Sequence, residues 1–94
     1  MKQTAIYYAA RDGKLKVIQF LMAQGINVNM IDTYGQNPIY YSVDKGHIDC
    51  CKYLKQVGSD HDLADEMNQS PLYYAIKSNR FECFSWLIQQ GCNL

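Results

Sequence analysis

Hydrophobic residues along the chain follow a helical spacing in three successive segments. Each segment opens with a short apolar run, at Ile6, Ile39 or Leu72, and a second run follows after a glycine or asparagine. The second runs are Leu15, Val17, Ile18, Phe20 and Leu21; Ile48, Cys50, Cys51, Tyr53 and Leu54; and Phe81, Cys83, Phe84, Trp86 and Leu87. This spacing predicts two short helices in every segment.

The three segments are copies of one unit with a period of 33 residues. The motif Asn-Pro-Ile-Tyr-Tyr at residues 37–41 has near-copies 33 positions away on either side, at residues 4–8 and 70–74. A fixed period of this length predicts a solenoid in which each unit buries its apolar face against its neighbours. We divide the single domain, residues 1–94, into units 3–34, 35–67 and 68–94.

Start and stop signals for helices recur at matching places. The residues before the first helices have short side chains that can cap free N–H groups: Thr4, Asn37 and Ser70. Pro38 and Pro71 follow at the first helical position, where a missing N–H costs nothing. We expect positive φ angles between the helices of each unit and after the second helix, at Gly13, Gly46, Asn79, Gly25, Gly58 and Gly91.

A unit built in this way resembles the ankyrin repeat. The family's Thr-Pro-Leu-His-x-Ala-Ala stretch has counterparts at residues 4–10, 37–43 and 70–76, and its Gly-His pair stands at Gly46 and His47. Its Gly-x-Asp/Asn-x-Asn stretch has counterparts at residues 25–29 and 58–62. The resemblance covers the whole chain. It implies an all-α ankyrin-repeat solenoid of stacked helix-turn-helix units joined by short finger loops, at residues 26–36 and 59–69.

One departure from the family pattern is systematic. Tyr7, Tyr40 and Tyr73 occupy the place where the family has a histidine whose two ring nitrogens bridge backbone and cap. A phenol has one hydroxyl and cannot make both bonds in the same way, which puts the polar bridge in question. We expect an aromatic column running from unit to unit in its place.

Composition indicates an intracellular protein, cytoplasmic or nuclear. The net charge of zero does not favour nucleic acid, and no apolar run approaches the ~20 residues that span a bilayer. The N-terminus lacks the apolar core of a signal peptide. The four cysteines have no metal or disulfide spacing, so we interpret them as small buried residues in a reducing compartment.

Motifs for catalysis, cofactors and metals are missing from the sequence. It contains no Gly-rich phosphate loop or nucleophile motif, and His47 and Cys50 both stand where the repeat already explains them. The acids around His61 lack EF-hand spacing. We therefore predict that the chain is not an enzyme and holds neither cofactor nor metal.

Eleven of the twelve aromatic residues stand at positions that recur in every unit, so we expect them, Phe81 and Phe84 included, in the core. Tyr34 is the exception, because it lies in the first finger loop. An exposed aromatic in a loop is the better candidate for partner contact.

The resemblance implies a non-catalytic protein-protein interaction module that binds a protein or peptide on the concave face formed by the fingers and first helices. The family's variable contact positions fall on Gln3, Arg11, Asp12, Thr33, Tyr34, Gln36, Asp44, Lys45, Glu66, Met67, Gln69, Lys77 and Ser78. We predict partner binding at ten of them: Tyr34, Glu66, Met67, Thr33, Gln36, Arg11, Asp44, Lys45, Gln69 and Lys77.

Charge placement suggests a basic partner. Residues 1–24 carry a net charge of +3 and residues 25–66 carry −4, with four acids in the second finger: Asp60, Asp62, Asp65 and Glu66. The opposing interpretation is that the three aspartates bond turn backbone. An alternative function is therefore a reader of a basic or methyl-lysine peptide, with Tyr34, Glu66 and Met67 at neighbouring fingertips.

A third interpretation is a structural or targeting segment of a larger multidomain enzyme, including a chromatin-associated one. Both flanks of the chain interrupt the repeat pattern, so we expect a piece of a longer protein. Terminal repeats normally present a polar outer face, yet the last helix is rich in apolar residues. This predicts self-association through the terminal helices.

Overall fold

The computed structural model describes residues 2–92, with side chains from Ala5 onwards, and forms six helices. They are α1 (Lys2–Arg11), α2 (Leu15–Ala23), α3 (Pro38–Lys45), α4 (Ile48–Gln56), α5 (Pro71–Lys77) and α6 (Phe81–Gln89). Residues 2–92 contain no strand, which confirms the predicted all-α fold. No helix among them is long and apolar enough to cross a membrane.

The helices form two layers, each continuous through the stack. The first helices of the units pack as α1 on α3 on α5, and the second helices pack as α2 on α4 on α6. Within each unit the two helices also pack on each other. Apolar side chains from both layers meet in one core, represented by Ile6, Ile18, Ile39, Leu54 and Leu87, which are almost completely buried. The predicted solenoid is therefore confirmed.

The predicted helix starts are confirmed in position but not in side-chain bonding. Pro38 and Pro71 open α3 and α5, with Asn37 and Ser70 at the N-cap positions, yet neither cap side chain bonds to its helix. Asn37 Nδ2 instead donates to the Asp60 carbonyl at 2.8 Å, because that finger backbone lies against the buried helix start. The prediction for Thr4 is also wrong, since α1 begins at Lys2 and Thr4 lies inside the helix.

The predicted positive φ angles are present at Gly13, Gly46, Asn79, Gly25, Gly58 and Gly91. Gly13 has a second reason to be glycine. A Cβ atom there would lie 2.6 Å from His47 Nδ1, because the imidazole of the second unit packs against this turn. Two fingertip positions, Gly35 and Asn68, also have positive φ and were not predicted.

All four cysteines are buried and free, in line with their interpretation as core residues. Cys51 of the second unit lies beside Cys83 of the third, and this neighbour together with burial raises the pKa of Cys51. A thiol held protonated in this way is a poor nucleophile and metal ligand.

Four of the aromatic residues expected in the core are exposed instead: Tyr8, Phe20, Tyr73 and Phe81. The Phe81 side chain is 77% exposed, whereas Phe84 packs against the core as expected. Phe81 stands at the first position of α6 and lines an open groove with Ile48 and Lys52 of α4. The first turn of α6 therefore leaves its ring at the rim of the helix layer.

Candidate functional site

Equivalent aspartates hold the two finger loops in shape. Asp32 Oδ1 accepts hydrogen bonds from the amides of Tyr34 (2.8 Å) and Gln36 (3.0 Å). Asp65 Oδ1 accepts bonds from the amides of Met67 and Gln69, both at 2.9 Å. These are turn-forming bonds of the kind that aspartate makes to its own loop.

Asp60 does the same earlier in the second finger, where its Oδ1 accepts the Asp62 amide at 3.0 Å. The structural role suggested for Asp60 and Asp65 is thereby confirmed. A carboxylate that is already bonded to turn backbone contributes less to attracting a basic partner than its formal charge suggests.

The second carboxylate oxygen of Asp65 is also used. It accepts a bond from Gln36 Nε2 at 2.9 Å, so the first finger is joined to the second. Gln36 Nε2 also donates to the Tyr74 hydroxyl at 3.0 Å. Burial favours the neutral acid, but the bonds from Gln36 and from the turn amides outweigh it and hold the pKa of Asp65 below its ordinary value.

Two of the three tyrosines in the family's histidine position, Tyr7 and Tyr40, retain a bridge to the fingers. The Tyr7 hydroxyl donates to the Met30 carbonyl at 2.7 Å. The Tyr40 hydroxyl lies between the carbonyls of Gln69, at 2.7 Å, and Leu63. Burial raises the pKa of Tyr7 to about 12 and raises that of Tyr40 as well. The hydroxyl thus replaces the expected histidine bridge, because the phenol reaches the finger backbone directly.

An aromatic column also exists, but it runs diagonally. Tyr7 packs on Tyr41 with ring centroids 5.1 Å apart, and Tyr40 packs on Tyr74 at 5.6 Å. Each contact joins the first tyrosine of one motif to the second tyrosine of the next motif. The Tyr41 hydroxyl donates to Asp32, which fixes this second tyrosine against the finger.

The tips of the two fingers are neighbours, as predicted from stacking in register. The Glu66 amide donates to the Tyr34 carbonyl at 3.0 Å. Tyr34 is 65% exposed and Met67 is 75% exposed, and Thr33 and Glu66 are exposed as well. These four exposed residues form the fingertip rim.

Behind this rim lies a groove that is lined mainly by tyrosine. A hollow of about 210 Å³ is bounded by Arg11, Tyr34, Gln36, Tyr40, Tyr41, Asp44, Lys45 and Tyr74. An adjoining hollow of about 180 Å³ is bounded by Tyr7, Tyr8, Arg11 and Tyr41. Because Arg11 and Tyr41 line both, we treat the two hollows as one site and call it the tyrosine groove.

Five of the ten predicted contact residues line the tyrosine groove, namely Arg11, Tyr34, Gln36, Asp44 and Lys45. The others lie outside it. Thr33, Glu66 and Met67 are on the rim, Gln69 Oε1 accepts a bond from the Tyr74 hydroxyl, and Lys77 Nζ lies 5.8 Å from the Tyr74 ring centroid. The side chain of Gln3 lies outside the described residues.

Sequence reasoning missed the contribution of Tyr8, Tyr41 and Tyr74. They were assigned to the core because they recur in every unit, but Tyr8 is exposed and the other two are half-buried. The signal that could have identified them is the doubled tyrosine itself. Consecutive helical residues point about 100° apart, so both cannot face the same core.

The charges in the groove are unequally available. Arg11 is exposed, stacks over the Tyr8 ring at 4.7 Å and pairs with Asp12 at 2.9 Å. Asp44 accepts a bond from the Ser78 hydroxyl, while Lys45 is exposed. Arg11 and Lys45 therefore present cationic groups beside aromatic rings. Among residues 2–92, no group of three or more His, Cys, Asp or Glu side chains could hold a metal ion.

Comparison with known proteins agrees with this architecture. A sequence model of ankyrin repeats matches residues 6–94 in three copies. A search of curated proteins found no match. Ankyrin repeats are generally protein-protein interaction modules and typically non-catalytic. From the 33-residue period, the paired helices and this match, the chain belongs to the ankyrin-repeat family.

Proposed function

We propose that the chain is a non-catalytic module that binds an extended segment of another protein in the tyrosine groove. The observation that supports this most directly is the meeting of Tyr34, Tyr41 and Tyr74 with Arg11 and Lys45 around one concave site. Protein contact sites concentrate their binding energy in aromatic residues and arginine. Both are present here at a place where a partner chain can reach them.

The chemistry of the groove favours a partner with an apolar or aromatic side chain next to a carboxylate. The tyrosine rings offer flat apolar area, and the exposed ammonium of Lys45 can pair with a carboxylate, whereas the Arg11 guanidinium is already bonded to Asp12 through Nε and Nη2. The acids nearest the groove are already bonded, Asp32 by Tyr41 and Asp44 by Ser78. This proposal therefore differs from the basic partner that the net charge of the middle segment suggests.

The groove needs little rearrangement to accept such a segment. Tyr7 and Tyr40 tie the first helices to the fingers, and Gln36 ties one finger to the next. A surface that is already ordered loses less conformational entropy on binding. Specificity then depends on side-chain complementarity rather than on a conformational change.

Selection of binding peptides from a random library tests the proposal. We expect the selected peptides to combine an aromatic or large apolar residue with Asp or Glu, and to shift the amide NMR signals of Tyr34, Gln36 and Tyr41. Lys45→Glu should weaken binding about tenfold, the effect of losing one charge-assisted contact. Lys52→Glu, an exposed lysine on α4, is the matched control and should bind like wild type.

Selected peptides that shift signals of α4 and α6 instead, or that bind both charge variants equally, would overturn the groove as the binding site. A selection that returns no binding peptide favours the structural or targeting segment as the role of the chain.

A second candidate function rests on the contact between the fingertips. Because the Glu66 amide bonds to the Tyr34 carbonyl, a residue with an exposed ring and one with a carboxylate are neighbours at the rim, where Met67 is also exposed. A lysine or methyl-lysine cation placed over the Tyr34 ring would gain both attractions.

The two candidates respond to different substitutions. For a reader of basic peptides, titration with a trimethyl-lysine peptide should detect binding that Tyr34→Ala and Glu66→Gln weaken, with Lys45→Glu unchanged or stronger. For the groove, binding of an acidic peptide should depend on Lys45 and be unaffected by Glu66→Gln.

A further inference from the structure

Charge is segregated between the finger loops and the rest of the chain. The two fingers, residues 26–36 and 59–69, contain five acids and no lysine or arginine, so they carry a net charge of −5. All nine basic residues and the other four acids lie outside the fingers, where the net charge is +5. Because α3 runs from the first finger to the turn before α4, the groove beside it joins an acidic region to a basic one.

At the finger end, Glu66 is an acid whose side chain lies against the first fingertip. Asp32 and Asp65 are both used by hydrogen bonds to the amides of their own loops. Glu66 is exposed, and its Cγ would lie 3.3 Å from a Cβ atom at Gly35, next to Tyr34. An exposed carboxylate residue and an exposed ring therefore mark this end of the groove.

At the other end of the groove the exposed charges are lysines. Lys45 is the last residue of α3, is exposed and lines the larger hollow. Lys77 is also exposed, and its Nζ lies 5.8 Å from the ring centroid of Tyr74, a residue of the same lining. The carboxylate of Asp44 already accepts the Ser78 hydroxyl. A partner's carboxylate is therefore attracted to this end.

Tyrosine residues connect the two charged ends. Tyr34 belongs both to the fingertip rim and to the lining of the larger hollow, which Tyr41 and Tyr74 share with Lys45. A bound segment can keep an aromatic or large apolar side chain on these rings while its charged side chains reach in opposite directions.

We propose that the partner segment in the tyrosine groove carries opposite charges on either side of that apolar residue. Its carboxylate pairs with Lys45, and its lysine or arginine lies over the Tyr34 ring beside Glu66. This inference rests on the groove as the binding site and names the class of partner, one that uses the acidic and the basic region in a single binding event. A segment with one sign of charge leaves one end of the groove unpaired.

The length of α3 sets the spacing of the two charges. Its eight residues rise ~12 Å, at about 1.5 Å per residue. An extended segment advances about 3.3 Å per residue, so an acid and a base about four positions apart span this length.

Fluorescence anisotropy with labelled peptides of equal length tests the proposal. The peptides place phenylalanine between Glu and Lys four positions apart, between Glu and Gln, or between Gln and Lys, in a Ser-Thr background that does not favour helix. We expect the peptide with both charges to bind about fivefold to tenfold more tightly than the better of the other two. Moving its Glu and Lys to adjacent positions should remove this gain.

Two charge variants assign the ends. Glu66→Gln should remove the gain that the peptide's lysine gives and leave binding of the Glu-only peptide unchanged. Lys45→Glu should weaken both peptides that contain Glu. Glu82→Gln on α6 and Lys52→Glu on α4 are the matched controls, because both residues are exposed and lie outside the groove lining, and they should bind like wild type.

The outcomes separate this inference from the proposed function. If the peptide with both charges binds no better than the Glu-only peptide, or keeps its advantage in Glu66→Gln, the partner with two opposite charges is wrong, while dependence of the Glu-only peptide on Lys45 still supports the groove. If none of the peptides binds, or if Lys45→Glu binds them all like wild type, the groove is wrong and this partner with it.

Discussion

Tyr40 and Tyr73 are the same residue in the same motif, 33 positions apart, and they have opposite environments. Tyr40 is 2% exposed, packs on Tyr74 and bonds to the carbonyls of the second finger. Tyr73 is 41% exposed and only meets its neighbour Tyr74 edge-on, with ring centroids 5.1 Å apart. In this stack the following finger and unit, rather than the residue type, decide whether a motif position is buried. Substitutions at covered and open positions of the same motif should therefore differ in their effect on stability.

The largest difference in the free energy of unfolding is expected between removal of the Tyr40 ring and removal of the Tyr73 ring. Tyr40→Ala should lower the free energy of unfolding by about 3–5 kcal/mol, as for other large aromatic residues cut from a core. Tyr73→Ala should lower it by less than about 1 kcal/mol, because an exposed side chain leaves no cavity. Urea denaturation followed by circular dichroism measures both. Equal losses for the two variants would show that the motif, not the covering finger, carries the stability.

Gly13 and Gly25 are a second pair in which one position is covered by a neighbouring unit and the other is open. Gly13→Ala and Gly25→Ala should each cost roughly 1–2 kcal/mol, because both glycines have positive φ. Gly13→Ala should cost ~1–3 kcal/mol more for overpacking, since its Cβ would meet the His47 ring, while nothing lies within 4 Å at Gly25. The double variant Gly13→Ala with His47→Ala relieves the clash, and denaturation should show that it recovers most of the extra loss.

Removal of the hydroxyls alone isolates the contribution of their hydrogen bonds from that of the rings. Tyr40→Phe keeps the ring but leaves the Leu63 carbonyl without its donor, while the Gln69 carbonyl retains the Asp65 amide, at an expected cost of about 1–3 kcal/mol. Tyr73→Phe should be close to neutral. Thermal unfolding of the two variants side by side checks this. A neutral Tyr40→Phe would mean that the ring contact alone holds the second finger.

The smallest expected effect concerns pH and the covered carboxylate of Asp65. Its pKa is lowered in the folded chain, so the ionised form stabilises the fold above the unfolded value of about 3.9, and this contribution is lost as pH falls through the folded pKa. The loss of stability between pH 5 and pH 3 should therefore be shallower in Asp65→Asn. Asp49→Asn, an exposed acid on α4, controls for removal of a carboxylate.

Features of the fold that depend on local sequence were predictable. Proline at the first helical position and glycine at positive φ act through the dihedral angles of their own backbone. As predicted, Pro38 and Pro71 open helices and Gly46 has a positive φ. Features that depend on the neighbouring unit were not. The Asn37 side chain turns away from its own helix because the backbone of the next finger lies within reach.

The candidate site was predictable in part for the same reason. Positions at the helix ends and fingertips could be assigned from their place in the unit, and Arg11, Tyr34 and Lys45 do meet around one groove. The tyrosine walls of the groove could not be assigned from the sequence, because their exposure depends on the diagonal packing of Tyr7 on Tyr41 between units. Phe81 is the opposite case, because it stands at an apolar position of the repeat and yet its side chain is exposed.

The contacts of Gln36 determine how a ligand bound in the tyrosine groove would affect the neighbouring helices. The Gln36 backbone closes the turn of the first finger with Asp32, and its side chain bonds to Asp65 of the second finger and to Tyr74 of α5. It also lines the tyrosine groove. A ligand held there would brace two units at once, so local opening of α5 would become coupled to ligand release. Amide hydrogen exchange in α5 would then slow on binding, although no ligand atom touches that helix backbone.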